Sequence, residues 1–340
     1  MPTILEQCVT IAQAVDLLNL LIDGGDPVML WGPPGIGKSE ATHQIGATRG
    51  WKVIEYRANL REPVDVRGIP VPDLDKGTTR WLVPDELPRA DRDGERGILF
   101  LDEINTASPQ MMAVLFGLVL ERRVGEYVLP AGWVIVAAGN RVSDRAAAQR
   151  MPTALRNRFA HIFIAPDVDA WCKWANRNNV APEVVAFVRL RRELIHIMPK
   201  GDENAFPTPR SLTKAAKYVN APKSQRLRLF ASHVGDGVAA ELDGFIELYR
   251  GLGSLEDIVA SPDTAPVPTE ASARYAVCTG LGRLATRKTL PNIIKYAKRL
   301  PRESQILVVH DATTRDEKLK ETTAYGAWAV ENQDIILQMS

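Results

Sequence analysis

The chain is short of cysteine. Cys8, Cys172 and Cys278 are odd in number and far apart, so neither a disulfide framework nor a zinc knuckle is expected. It is also short of net charge. Forty-two basic and 41 acidic residues leave +1, so no bulk charge marks the whole chain as a nucleic-acid binder. Long apolar runs are missing too. The longest, residues 111–120, is interrupted by Gly117 and is half the roughly twenty residues a bilayer helix needs. The start Met-Pro-Thr-Ile has no basic region ahead of an apolar core, so a secretory leader is not expected and the cytoplasm is the default compartment. Five histidines form no HExxH spacing, and no GxSxG is present. His161 begins an expected strand and reads as a packed or surface residue rather than a catalyst. There is no internal repeat. What remains is ordinary for a globular protein, with 45% hydrophobic and 24% charged residues. A length of 340 residues suits two or three domains.

The patterning divides the chain in two. Apolar residues at Val9, Ala12, Val15, Leu18 and Ile22 recur with a helical period across the first twenty-five residues, and Gly24 and Gly25 end that helix. Short apolar runs at 28–31, 52–58, 97–101, 133–138 and 161–165 read as buried strands. Helical stretches at 39–49 and 109–121 separate them, which predicts a parallel sheet covered on both faces. Residues 63–96, rich in proline and glycine and holding Trp81, read as an insertion containing a hairpin. Beyond Pro166 the strands give way to helices at 167–178, 182–197, 209–220 and 224–234. A Pro-rich connector at 261–268 precedes a mostly helical end with one short strand at 306–309.

The chemistry gathers where the strands end. Gly32, Pro33, Pro34, Gly35, Ile36, Gly37, Lys38 and Ser39 fit G-x-x-x-x-G-K-[ST] between a strand and a helix, with Glu40 following. Glycines let several backbone N–H groups converge on phosphate oxygens, and the helix adds the positive end of its dipole. Lys38 would neutralise the outer phosphates and Ser39 would ligate Mg²⁺. The uncharged strand ILFL ends in Asp102 and Glu103, at the sheet edge where ligands bind. Asp102 would hold the metal, and Glu103 would polarise the attacking water as general base. The strand WVIVAA ends in Gly139 and Asn140, whose amide could reach the terminal phosphate or that water. A small-molecule kinase on the same loop would leave the acidic pair unexplained.

Taken together, GPPGIGKS, ILFLDEIN, AAGN and LRNRF resemble the AAA+ ATPases, in order, over roughly residues 27–165. On that resemblance Lys38 and Ser39 match Walker A, Asp102 and Glu103 match Walker B, and Asn140 matches sensor 1. The insert VDVRGIPVP…RWLVPDELPRA and the segment RRVGEYVLPAG at 122–132 are similar to the helix-2 insert and pre-sensor 1 hairpin of the MoxR-like branch. The family pattern implies that Arg158, or Arg156 two residues before it, is an arginine finger reaching into a neighbouring subunit. It implies that Arg210, in TPRSL, is sensor 2. A pair of surface cations and a helix-end cation are the plainer readings of these arginines.

The expected fold is therefore α/β: a P-loop NTPase αβα sandwich with a parallel sheet over residues 1–165, including the insert at about 63–96. An all-helical lid over 166–260 and a mostly helical extension over 261–340 would follow. The resemblance implies ATP and Mg²⁺ as cofactors, a ring homo-oligomer, in the family a hexamer, and a protein client, in this branch often paired with a von Willebrand A domain protein. Trp81 and the hairpin near Tyr127 would then project and touch the client, unless Trp81 only packs its own hairpin. The competing class is a motor acting on DNA. Residues 283–302 hold seven basic residues (Arg283, Arg287, Lys288, Lys295, Lys298, Arg299 and Arg302), no acidic one, and Tyr296 among them. Such a helix pair could track phosphates, or could be a solvated face or a contact with an acidic neighbour. No membrane partner is expected.

Overall fold

The computed structural model describes residues 7–141, 149–199, 201–251 and 254–333. The chain forms two compact units, Met1–Asp167 and Val168–Ser340.

In the first unit, α1 (Ile11–Gly24) leads into β1 (Val28–Trp31). Thr10 caps α1 in a capping box with Gln13, so Val9 lies before the helix and bridges to Ile164 instead. The buried stripe of α1 is Ala14, Leu18 and Ile22, while Ala12 faces water, which corrects the stripe expected from the sequence. Then follow α2 (Lys38–Arg49), β2 (Lys52–Arg57), α3 (Pro63–Arg67), β3 (Ile69–Asp73), β4 (Thr78–Leu82), α4 (Ala90–Asp93), β5 (Arg96–Asp102) and α5 (Pro109–Glu121). The two-residue strands β6 (Arg123–Val124) and β7 (Tyr127–Val128) precede β8 (Gly132–Gly139), α6 (Thr153–Arg156) and β9 (Ala160–Phe163).

Five strands form one parallel sheet in the order β2-β5-β8-β1-β9. Alternate side chains of each strand go to opposite faces, as the pleat requires. Ile98 and Phe100 of β5 join Leu18, Ile22, Leu30, Ile45 and Val136 on the α1–α2 side. Leu99 and Leu101 join Met111, Leu115, Ile135, Ala137 and Leu155 on the α5–α6 side. Two cores, one on each face of the parallel sheet, make an αβα sandwich. The strand order puts β8 between β1 and β5, so the ends of all three open on one edge of the sheet.

The insert holds the β3–β4 hairpin, paired antiparallel from Ile69↔Leu82 to Asp73↔Thr78. Its apolar residues Ile69, Leu74 and Leu82 are exposed. Trp81 is half-buried beneath the Arg67 guanidinium, 4.6 Å from its ring centroid, and its backbone N–H donates to Glu126 Oε1 at 3.1 Å. Tyr127 is buried, and its hydroxyl donates to the Pro88 carbonyl at 2.8 Å, so it anchors its hairpin.

The second unit is helical: α7 (Val168–Arg177), α8 (Pro182–Leu190), α9 (Pro209–Ala215), α10 (Lys223–Val234), α11 (Asp236–Gly251), α12 (Leu255–Ala260), α13 (Ala271–Leu284), α14 (Leu290–Ala297), α15 (Arg302–Arg315) and α16 (Thr323–Glu331). Proline occupies the first turn of α8 and α9, where its missing N–H costs nothing. The strand expected at 306–309 is instead the middle of α15, which buries Val308, Val309, Ala312 and Thr313. Two apolar cores divide this unit. One is built on α7 to α11, and the other on α12 to α16 around Leu281, Ile293, Tyr296 and Trp328. Cys172 and Cys278 lie inside these cores, where burial raises their thiol pKa values to about 11 and about 12.

Candidate phosphate-binding site

The loop after β1 has the backbone its glycines permit. Gly35 and Gly37 take φ of 78° and 100°, a region open to glycine and strained for other residues. Gly37 is the N-cap of α2, so Lys38 and Ser39 stand at the helix N-terminus, the positive end of its dipole. A side chain on Gly32 would collide with the Ile164 carbonyl and with Ile36. The loop therefore closes against β9 only with glycine there.

Lys38 is buried and folds back over the loop. Its ammonium donates to the Gly32 carbonyl at 2.6 Å, the Pro33 carbonyl at 3.0 Å and Asn140 Oδ1 at 3.2 Å. Ser39 Oγ lies 3.4 Å from Asp102 Oδ2. Asp102 in turn accepts the Glu103 backbone N–H at 3.0 Å. Burial raises the Asp102 pKa, and the nearby Glu103 and Glu55 carboxylates raise it further, with Lys38 opposing them. Crowded carboxylates facing a hydroxyl have the chemistry of a cation site that is completed by other ligands. Among the described residues no cluster of three or more His, Cys, Asp or Glu could hold a metal by itself.

Glu103 sits in the left-handed region at φ 53°, at the start of a 3₁₀ turn over Ile104–Thr106. Its carboxylate accepts from Asn59 Nδ2 at 2.6 Å. Asn59 lies just past β2, and nothing in its sequence neighbourhood marks it. Asn105 is fully buried and donates from Nδ2 to the Asn140 carbonyl at 2.7 Å, tying the acidic turn to the end of β8. Sequence reasoning missed both asparagines. The strand order is what exposes them, because it sets β2, β5 and β8 side by side.

The fold thus brings Lys38, Ser39, Asp102, Glu103 and Asn140 to one edge. Pro33, Pro34, Gly35 and Ile36 form the loop itself, and Glu40 is exposed in the first turn of α2. Arg156 and Arg158 do not join this cluster. Both are exposed, Arg156 as the last residue of α6 and Arg158 on the turn that follows it. Arg210 belongs to the second unit, exposed in the first turn of α9 behind the Thr208 cap. Three of the seven basic residues at 283–302 form ion pairs within their own unit. Lys295 pairs with Asp263 at 2.6 Å, Lys298 with Glu331 at 2.7 Å and Arg287 with Glu321 at 2.8 Å. Arg299 donates to the Pro262 carbonyl, and Tyr296 is buried with its hydroxyl on Pro266.

Several known proteins are similar to this chain in sequence or in structure. A 171-residue stretch, 48% of the chain, is 28% identical to Midasin of Giardia intestinalis, and spans 3% of that protein's length. Two solved mutants of RuvB from Thermotoga maritima superpose with TM-scores of 0.40 and 0.38, at 16% and 18% identity. They cover 83% and 82% of this chain, and 85% and 86% of their own. Residues 27–159, the stretch that carries the phosphate loop, the acidic pair, Asn140 and Arg158, match the AAA domain of the dynein-related subfamily.

Proposed function

We propose that the protein is an oligomeric, Mg²⁺-dependent ATPase of the MoxR-like AAA+ type that uses hydrolysis to remodel a protein partner. The observation that carries the ATPase reading is the convergence of Lys38 on Asn140 at 3.2 Å and of Ser39 on Asp102 at 3.4 Å, beneath a glycine-built loop. Backbone N–H groups of the loop and the start of α2 bind the phosphates. Lys38 exchanges its bonds to Gly32 and Pro33 for phosphate oxygens. Ser39 and Asp102 hold magnesium, which supplies positive charge to the phosphate oxygens when bound. Glu103 takes a proton from the attacking water, and Asn140 orients that water or the terminal phosphate. Asn59 holds the Glu103 carboxylate in place until then.

Arg158, or Arg156 beside it, acts in trans on the neighbouring subunit's phosphate, which makes a ring the active form, a hexamer on the family pattern. Arg210 acts as sensor 2 from the helical lid. The MoxR-like branch is supported by the placing of two hairpins, β3–β4 between β2 and β5, and β6–β7 between α5 and β8. The exposed apolar tip of the first hairpin is the client-facing element, and a von Willebrand A domain protein is the partner class. Against the DNA-motor alternative stand the ion pairs of Arg287, Lys295 and Lys298, three of the seven basic residues at 283–302.

Phosphate release and fluorescent-ATP binding test the reading directly. Lys38→Ala should abolish binding and turnover together. Glu103→Gln should keep ATP bound while turnover falls by about 10²–10⁴-fold. Wild-type protein that neither binds nor hydrolyses ATP with magnesium present would refute it.

A further inference from the structure

Trp31 ends β1 and directly precedes Gly32 of the phosphate loop. Its indole N–H donates to His161 Nδ1 at 2.8 Å. The other ring nitrogen, Nε2, lies 2.8 Å from the Arg156 carbonyl oxygen. An indole N–H can only donate and a carbonyl can only accept. His161 must therefore accept at Nδ1 and donate at Nε2, so its two partners select one neutral tautomer. The two rings lie side by side and nearly coplanar, with centroids 6.1 Å apart and planes 23° apart, as an in-plane N–H···N bond requires.

The Arg156 carbonyl closes α6 and opens the turn that carries Arg158. That turn is pinned at each end. The Arg158 N–H donates to Leu155 at 3.1 Å, the Phe159 N–H to Arg156 at 3.2 Å and the Ala160 N–H to Pro27 at 2.8 Å. Leu155 and Phe159 are buried, while Arg156 and Arg158 stay exposed. The side-chain brace from this turn to the strand that feeds the phosphate loop runs through His161.

We propose that His161 is a positioning residue. It fixes the Arg156–Arg158 turn against Trp31, so that the arginine offered to the next subunit is held in register with this subunit's own phosphate loop. This rests on the trans-arginine reading above. It predicts a defect in the donor subunit only: an altered His161 leaves its own loop able to bind and hydrolyse ATP, provided a neighbour supplies a well-placed arginine.

Two amide variants separate the two bonds. His161→Asn places an amide near the position of Nδ1, keeping an acceptor for Trp31 and losing the bond to Arg156. His161→Gln places one near Nε2, keeping a donor for Arg156. Steady-state ATPase of the full chain should show kcat down about tenfold for His161→Asn with KM for ATP unchanged, since small misplacements cost rate steeply. His161→Gln should retain most of the rate. Mixing His161→Asn subunits with hydrolysis-dead Glu103→Gln subunits, whose arginine turn is intact, should raise turnover per His161→Asn subunit. Trp31→Phe, which gives up the same bond as His161→Gln and keeps the bond to Arg156, should likewise retain most of the rate. Nitrogen-15 shifts of His161 should report a protonated Nε2 and a bare Nδ1.

Equal losses in the two amide variants, a raised KM, no recovery on mixing, or the opposite tautomer would each overturn the proposal. These failures differ from failure of the ATPase reading. That reading falls if the wild-type chain does not turn over ATP or Glu103→Gln remains active, and the proposal falls with it.

Discussion

Asp102 is held as a carboxylate where its charge is unwelcome. Burial and the neighbouring Glu103 and Glu55 raise its pKa, so ionised Asp102 costs the folded state stability above that pKa. The cost is relieved as pH falls through the raised value. Cation binding, which needs the ionised form, weakens over the same interval and at higher pH than for an ordinary aspartate. Asp102→Asn should therefore raise the melting temperature of the nucleotide-free protein, by about 2 °C, while abolishing magnesium-dependent hydrolysis. Calorimetry beside phosphate release checks both halves, and a lower melting temperature would show that the crowding is harmless. Asn59→Ala should release Glu103 and raise basal turnover several-fold at unchanged ATP affinity. At this scale the sequence was legible where a residue type is demanded by local pattern. Lys38 and Ser39 follow the glycines, and Asp102 and Glu103 end an uncharged strand. Asn59 was not legible, because its partner lies 44 positions along the chain and meets it only through the pairing of β2 with β5.

At the scale of elements, periodicity located strands and helices well, and failed where a run is short. The apolar residues at 306–309 look like a buried strand, and length alone separates that from a buried stretch of helix. Here the helix runs fourteen residues, Arg302–Arg315, and packs its apolar side on α13 and α14. The pairing of α10 with α11 depends on charge that no pattern foretold. The Arg226 side chain, 1% exposed, bonds Asp243 at 2.7 Å and also reaches Glu247. Arg226→Ala leaves two carboxylates beside an apolar seam and should lower the melting temperature by about 3–6 °C. Arg226 and Lys223 depress the Glu247 pKa to about 2. Its share of stability is present above the ordinary carboxylate range and is lost as pH falls toward about 2, which acid-denaturation curves of wild type and Glu247→Gln would show.

For the whole molecule, the sequence divided a strand-bearing first part from a helical remainder, and the contacts divide the chain at Asp167. What the fold adds is a carboxylate partner for three of the seven basic residues at 283–302: Glu321 for Arg287, Asp263 for Lys295 and Glu331 for Lys298. Duplex DNA should accordingly leave the ATPase rate unchanged at low and moderate salt; strong salt-sensitive stimulation would reopen the DNA-motor alternative. Arg158→Ala should leave ATP binding intact and cut turnover by about 10³-fold, the scale of a trans-acting arginine. Loss of binding would show that it serves its own loop.

The left-handed backbone of Glu103 has one more implication. A side chain held at φ 53° costs about 1 kcal/mol that glycine would not incur. Glu103→Gly would thus yield a sturdier and inert protein. Selection for durability alone would drive this position toward glycine, and the kink persists only as long as the carboxylate it aims is in use.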